Sequence, residues 1–150
     1  IDLSKFETSK QKSVKSTTQK NIYIIDTNVF VNCPDIISKI DEHYQVVMSA
    51  KVIDELDKLK IKLDAANKKN VETALRLINK AMDKPNVSME LSDPDLLPND
   101  FNKKSPDNNI LTVALKFKNE NPILLTSDNG LQVKAKGLRI ATITLKDFLN

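Results

Sequence analysis

The chain has 150 residues, 40% hydrophobic and 29% charged, with a formal net charge of +3. That size and balance suit one globular domain with a real core, and no apolar run approaches the roughly 20 residues that span a bilayer. A single cysteine, Cys33, and a single histidine, His43, exclude a disulfide framework, a Cys-rich zinc site and any Ser-His-Asp or Cys-His machinery without His43.

A metal here must therefore be held by oxygen, which points to magnesium or manganese rather than zinc. The charge is unevenly placed. Residues 1–20 hold five lysines against Asp2 and Glu7, and the rest of the chain balances. Nucleic-acid binding, if any, must come from local patches or from that tail. Residues 1–20 read as a flexible basic arm or interdomain linker, and 21–150 as the domain. No signal peptide is visible, so a cytoplasmic protein is expected. There is no initiator Met, so a processed or cut chain is expected too.

Ile22–Ile25 is an unbroken apolar run followed by Asp26. Such a run reads as a strand over about 22–26, buried on both faces as in a parallel sheet. Asp26 at its carboxyl end either caps the next helix or belongs to a site, because ligands gather at that edge of α/β sheets. Asn28 to Val31 begins a turn or short helix. Pro34 starts a helix to about Asp41, with Ile36, Ile37 and Ile40 as its apolar side. Gln45–Met48 is strand two. Ser49 caps a helix whose stripe is Val52, Ile53, Leu56 and Leu59, with Glu55 beside it. A longer helix spans about 64–83. Val87–Leu91 is a short strand at an edge.

Residues 92–106, with Pro94, Pro98 and Pro106, form a loop long enough to be functional. Ser105-Pro106-Asp107 then opens a helix as N-cap, first position and first-turn acid. Ile123–Thr126 is a buried strand ending in Ser127-Asp128-Asn129-Gly130. A helix from Leu131 to Lys136 follows, with Gly137 as its C-cap. Arg139–Ile143 is the last strand, and Leu145–Leu149 a final helical turn. This alternation predicts an α/β fold: a three-layer α/β/α sandwich around a central, mostly parallel sheet.

Four acids fall on the edge where strands end and helices begin: Asp26, Glu55, Asp107 and Asp128. Each also has a plain role as a cap, a turn residue or a surface charge. Clustering them is costly, because two unit charges about 4 Å apart repel by roughly 4 kcal/mol at an effective dielectric near 20. A cation, a shared proton or wide separation relieves that cost, and a divalent metal is the simplest relief. The only glycines are Gly130 and Gly137, so no phosphate-cradling glycine loop exists. An aspartyl phosphatase wants a second Asp where Asn28 stands. A receiver domain wants an acidic pair near strand one, which is absent.

With these segments in hand the chain resembles the PIN domain, a metal-dependent ribonuclease family, over about residues 21–149. The carriers are Ile24-Ile25-Asp26-Thr27-Asn28, Val52-Ile53-Asp54-Glu55-Leu56, Asp107-Asn108-Asn109-Ile110-Leu111 and Leu125-Thr126-Ser127-Asp128-Asn129. In detail it is most similar to PIN domains fused to PhoH-like ATPases, through Glu55-Leu56-Asp57-Lys58-Leu59-Lys60 and the Asp-Asn-x-Ile-Leu run. The resemblance implies catalytic, metal-binding acids at Asp26, Glu55, Asp107 and Asp128, with Thr27, Asn28, Thr126 and Ser127 orienting them or water. It implies Mg²⁺ or Mn²⁺ as cofactor and single-stranded RNA as substrate, with water activated for in-line attack on a phosphodiester. Lys51, Lys103, Lys104 and Lys134, near the same edge, are candidates for holding the RNA backbone. It also implies that the chain is an N-terminal part of a longer protein, and that it can form a homodimer or oligomer. Two departures stand out: Asn109 where relatives often have Arg, and no glycine in 61–70. Two alternatives are a non-catalytic module that binds RNA or protein, and a VapC-like toxin paired with an antitoxin. The tail ahead of strand one argues against the toxin.

Overall fold

The computed structural model describes residues 20–62 and 64–150, so the expected arm over 1–20 lies outside it except for Lys20. Five strands form one all-parallel sheet in the order β3-β2-β1-β4-β5. They are β1 (Ile22–Ile25), β2 (Gln45–Ser49), β3 (Val87–Glu90), β4 (Pro122–Leu125) and β5 (Ala141–Ile143). The helices are α1 (Thr27–Asn32), α2 (Ala50–Lys62), α3 (Ala65–Ala81), α4 (Pro106–Lys116), α5 (Asn129–Gly137) and α6 (Leu145–Leu149). Together they make the three-layer α/β/α sandwich that the alternation predicts.

β1 lies in the middle of the sheet and every one of its residues is buried. That is why its sequence is continuously apolar rather than alternating. Ile24, Ile25, Leu124, Leu125 and Met48 are fully buried, each stabilising by about 1.5–3 kcal/mol through area removed from water. Tyr23 is wedged edge-on between Phe148 of α6 and Tyr44, with ring centroids 5.5 and 5.9 Å apart. Helices α1, α2 and α3 pack on one another, while α4 bridges β4, α2 and α5.

Several boundaries move. The helix expected over Pro34–Asp41 is only a 3-10 turn, Ile36–Lys39, held by bonds such as Ile40 N–H to Ile37 O. Its N-cap Asp35 caps nothing, because Oδ1 instead accepts from the Cys33 thiol and Oδ2 pairs with Lys39. The three isoleucines are buried regardless. The helix expected over 64–83 is α3, opened by Asp64 accepting from the Asn67 amide. The loop over 92–106 contains a 3-10 turn, Pro94–Leu96.

Gly137 is not the C-cap of α5. It lies inside the helix, and Arg139 takes the left-handed position with φ 65°. The Ile140 amide donates to Ala135 O and the Arg139 amide to Lys136 O, which is the Schellman closure usually built on glycine. Buried Ile140, packed in the core with Ala135, holds Arg139 there.

Candidate active site

The strand order places the site. From β1 the chain moves outward to β2 and β3, then crosses to β4 on the other side of β1. Such reversals leave a crevice at the carboxyl ends of the two central strands. Ile25 is in register with Leu125, and the Asp26 amide donates to Leu125 O at 3.0 Å. Asp26 thus stands level with Thr126, in the crevice and only 5% exposed.

Two threonines organise the acids. The Thr27 amide donates to Asp26 Oδ1 and the Thr126 hydroxyl to Asp26 Oδ2, both at 2.7 Å. The Thr126 oxygen in turn accepts from the Asp128 amide at 3.1 Å, so one buried hydroxyl fixes two acidic residues. The Thr27 hydroxyl donates to Glu55 Oε1 at 2.6 Å and orients the carboxylate arriving from α2.

The acids share a further placement. Asp26 caps α1, Asp128 caps α5 by accepting from the Leu131 amide at 2.9 Å, and Asp107 is in the first turn of α4. Each meets the positive end of a helix, which offsets part of their repulsion. A Cβ at Gly130 would stand 3.3 Å from Asp128 Oδ1, so glycine there leaves room for the carboxylate.

All four acids line one cleft of about 320 Å³, together with Thr27, Asn28, Lys58, Leu59 and Lys62. Burial pushes the Asp26 carboxyl above its ordinary value, and the charges of Asp107 and Asp128 add to this. The bonds from Thr126 and Thr27 work against the rise. Burial also raises Asp107, as does Asp128, while Lys134 lowers it. Among the described residues, no three His, Cys, Asp or Glu side chains are arranged as a ready metal-binding group. The donors nevertheless fit a hard divalent cation, being all oxygen and mutually repelling. Like charges of this kind keep apart until a cation stands between them.

The sequence profile of the PIN domain family matches residues 23–146. The chain belongs to the PIN domain family. PIN domains are commonly nucleases and typically depend on divalent metal. Among curated proteins, none matches the chain significantly. Its fold is similar to a domain of a functionally unknown protein from Methanocaldococcus jannaschii, with TM-score 0.57, 24% identity, and coverage of 84% of this chain and 91% of that one. It is also similar to a PilT N-terminus domain protein from Sulfolobus solfataricus, with TM-score 0.53, 16% identity, and coverage of 85% and 90%. The PIN domain of human SMG5 gives TM-score 0.54, 15% identity, and coverage of 85% and 96%. These likenesses establish the shared fold.

In this PIN domain the residues named from sequence divide into those on the cleft and those beside it. Asp26, Glu55, Asp107, Asp128, Thr27 and Asn28 line it. Thr126 lies directly beneath, bonded to Asp26. Ser127 is turned to another task, its Oγ accepting from the Leu145 amide at the start of α6. Lys51, Lys103 and Lys104 are not on the cleft walls. Lys134 donates from Nζ to Asn108 Oδ1 at 2.9 Å, and Asn108, 2% exposed, donates onward to Asn102 O. That ammonium therefore ties α5 to α4 behind Asp107. Asn109 is half-buried and off the cleft walls. Sequence reasoning missed Lys58 and Lys62. Their signal was the helical spacing from Glu55, which puts them on the same face of α2.

No helix among the described residues is long and apolar enough to cross a membrane.

Proposed function

We propose that this PIN domain is an endoribonuclease that hydrolyses phosphodiester bonds of single-stranded RNA, with Mg²⁺ or Mn²⁺ held among Asp26, Glu55, Asp107 and Asp128. The observation that carries the reading is the meeting of Asp26, Asp107 and Asp128 in one cleft at the sheet's reversal point, close enough for Asp107 and Asp128 to act on Asp26 and for Asp128 to act on Asp107. Four carboxylates there face two lysines. A polyanion is repelled from such a cleft until a divalent cation offsets the charge.

When bound, that cation supplies water activation and neutralises charge developing on phosphate. The rest belongs to the chain. Thr27 and Thr126 each occupy one oxygen of Asp26 and lock its orientation. Thr27 gives Glu55 its direction. Asp26 and Asp107, the two carboxyls raised by burial and repulsion, accept protons more readily than ordinary carboxylates.

The test is cleavage of a labelled single-stranded RNA in Mg²⁺ or Mn²⁺ against EDTA, with wild type and Asp26→Asn side by side. Metal-dependent cutting should fall by roughly 10²-fold or more in the variant, since oriented charge at a reacting phosphate is worth several kcal/mol. An unchanged rate would refute the assignment. A second reading, a non-catalytic RNA-binding module, is motivated by the balanced charge of the chain beyond residue 20. RNA retained in EDTA, with no cutting at any metal concentration, would select it.

A further inference from the structure

The face of α2 that enters the cleft does more than deliver Glu55. Glu55, Lys58, Leu59 and Lys62 stand at positions i, i+3, i+4 and i+7, so they share one side of the helix. All four line the cleft. Leu56, fully buried, anchors the adjoining side of α2 in the core and fixes how this face is presented.

Resting on the ribonuclease reading of the cleft, we propose that this face is a track for the backbone of single-stranded RNA. Lys58 and Lys62 hold neighbouring phosphates that lead away from the carboxylates, and Leu59 lies against the ribose or base between them. From Glu55 to Lys62 the helix rises about 10 Å, at 1.5 Å per residue. That length carries a strand outward from the scissile bond.

The charges on α2 are sorted accordingly. Lys60 is paired with Asp57 at 2.9 Å, and neither lines the cleft. Lys58 reaches Asp54 at 3.2 Å, with both side chains more than half exposed. Such a pair is weak and readily exchanged for a phosphate. Lys62 has no ion pair among those found in the described residues, and it is exposed. Lysine is a point charge that follows a backbone without reading sequence. The cleft, about 320 Å³, is of the size that takes one small-molecule-sized group. One nucleotide of a single strand fits that volume.

The experiment separates binding from cutting. Kd for a fluorescein-labelled single-stranded RNA is measured by anisotropy in calcium buffer across a salt series, with RNA integrity checked afterwards. Initial rates in Mg²⁺ give KM and kcat from a gel. Log K for a single strand falls by about 0.7 per decade of salt for each phosphate contact, so one contact is worth about fivefold near 0.1 M. Lys58→Ala and Lys62→Ala should each weaken Kd by about that factor, and the double variant should flatten the salt slope by about 1.4. KM should rise with kcat unchanged. Lys62→Arg should keep binding, and Asp54→Asn should tighten it by freeing Lys58.

A double variant with wild-type Kd and slope overturns the track, as does a wild type with no measurable binding at low salt. Equal dependence on both lysines for a blunt duplex of the same sequence overturns the single-strand assignment. The ribonuclease reading is judged on the gel alone. Binding that depends on Lys58 and Lys62 without cutting removes the nuclease and keeps the track. Cutting with an unchanged KM in the double variant does the reverse.

Discussion

The two ends of the sheet each carry an open cleft, and the larger one is at the end without the acids. At the amino end a hollow of about 410 Å³ is lined by Lys20, Ile22, His43, Gln45, Pro85, Asn86 and Glu120. Beside it runs a ladder of asparagines, of which Asn86 reaches its wall. Asn121 donates to Asn21 Oδ1 at 2.6 Å, Asn21 donates to the Tyr23 hydroxyl at 3.0 Å, and Asn86 donates to Tyr44 O at 3.0 Å. Backbone oxygens of the same asparagines take the amides that open the strands: Ile22 to Asn121, Gln45 to Asn21, and Val46 to Asn86. At the carboxyl end four acids share about 320 Å³, and two of them, Asp26 and Asp107, are raised by burial and by neighbouring carboxylates. The asparagines beside the hollow are satisfied by one another and by Tyr23 and Tyr44, whereas the carboxylates of the cleft are left electrostatically frustrated. Size does not distinguish a site from a structural hollow. Uncompensated chemistry does, because strain is retained where function needs it.

The contrast can be broken first at the frustrated end, where the effect is largest. A saturating divalent cation should stabilise the protein by about 2.7 kcal/mol at a hundredfold excess over Kd. In Asp26→Asn that gain should shrink, while stability in EDTA rises, because a buried charge has been removed. The pH dependence has a definite sign. Asp26 and Asp107 have native pKa values above the ordinary 3.8, so the folded state binds more protons than the unfolded one. Their contribution to stability therefore falls as pH rises from about 3.8 through the raised native values, and the deficit is complete above them. Thermal melts in EDTA across that window should show a shallower decline for Asp26→Asn than for wild type. An equal decline would mean that Asp26 is not the strained group.

The satisfied end should respond in the opposite direction. Asn21→Ala removes an acceptor for Asn121 and a donor for Tyr23, and should destabilise by about 1–3 kcal/mol by denaturant titration. Its cleavage rate should match wild type. A variant as stable as wild type would show that the asparagine ladder contributes nothing.

The smallest effect lies at the end of α5. Gly137 is in a helix, and a Cβ there would meet nothing within 4 Å. Gly137→Ala should stabilise by about 0.5–1 kcal/mol, read as a small rise in Tm. If Gly137 closed the helix instead, the same change would destabilise.

That glycine shows where local reading stops. Gly137 is the only glycine near the end of α5, and a C-cap is the ordinary use of one. Tertiary burial of Ile140 instead sets the closure two residues later and places Arg139 at φ 65°. The helix expected after Pro34 failed in a related way, because packing of its three isoleucines needed only a 3-10 turn. By contrast Ser105-Pro106-Asp107 was legible in full: Ser105 caps, Pro106 follows and Asp107 is in the first turn. A cap is a matter of adjacent residues, so adjacent residues suffice to read it.

The site divides along the same line. The sequence alone determined that β1 is a buried parallel strand, that acids stand where strands give way to helices, and that any metal would be held by oxygen. Apolar runs, caps and the residue inventory carry that information over a few positions. Only the tertiary structure decided that β4 would lie beside β1. That pairing puts the Thr126 hydroxyl 2.7 Å from Asp26, across 100 residues of chain. It also decided that α2 would turn Lys58 and Lys62 into the cleft and that α5 would commit Lys134 to Asn108. Those outcomes follow from which apolar faces bury one another, a sum over the whole core that no short stretch contains.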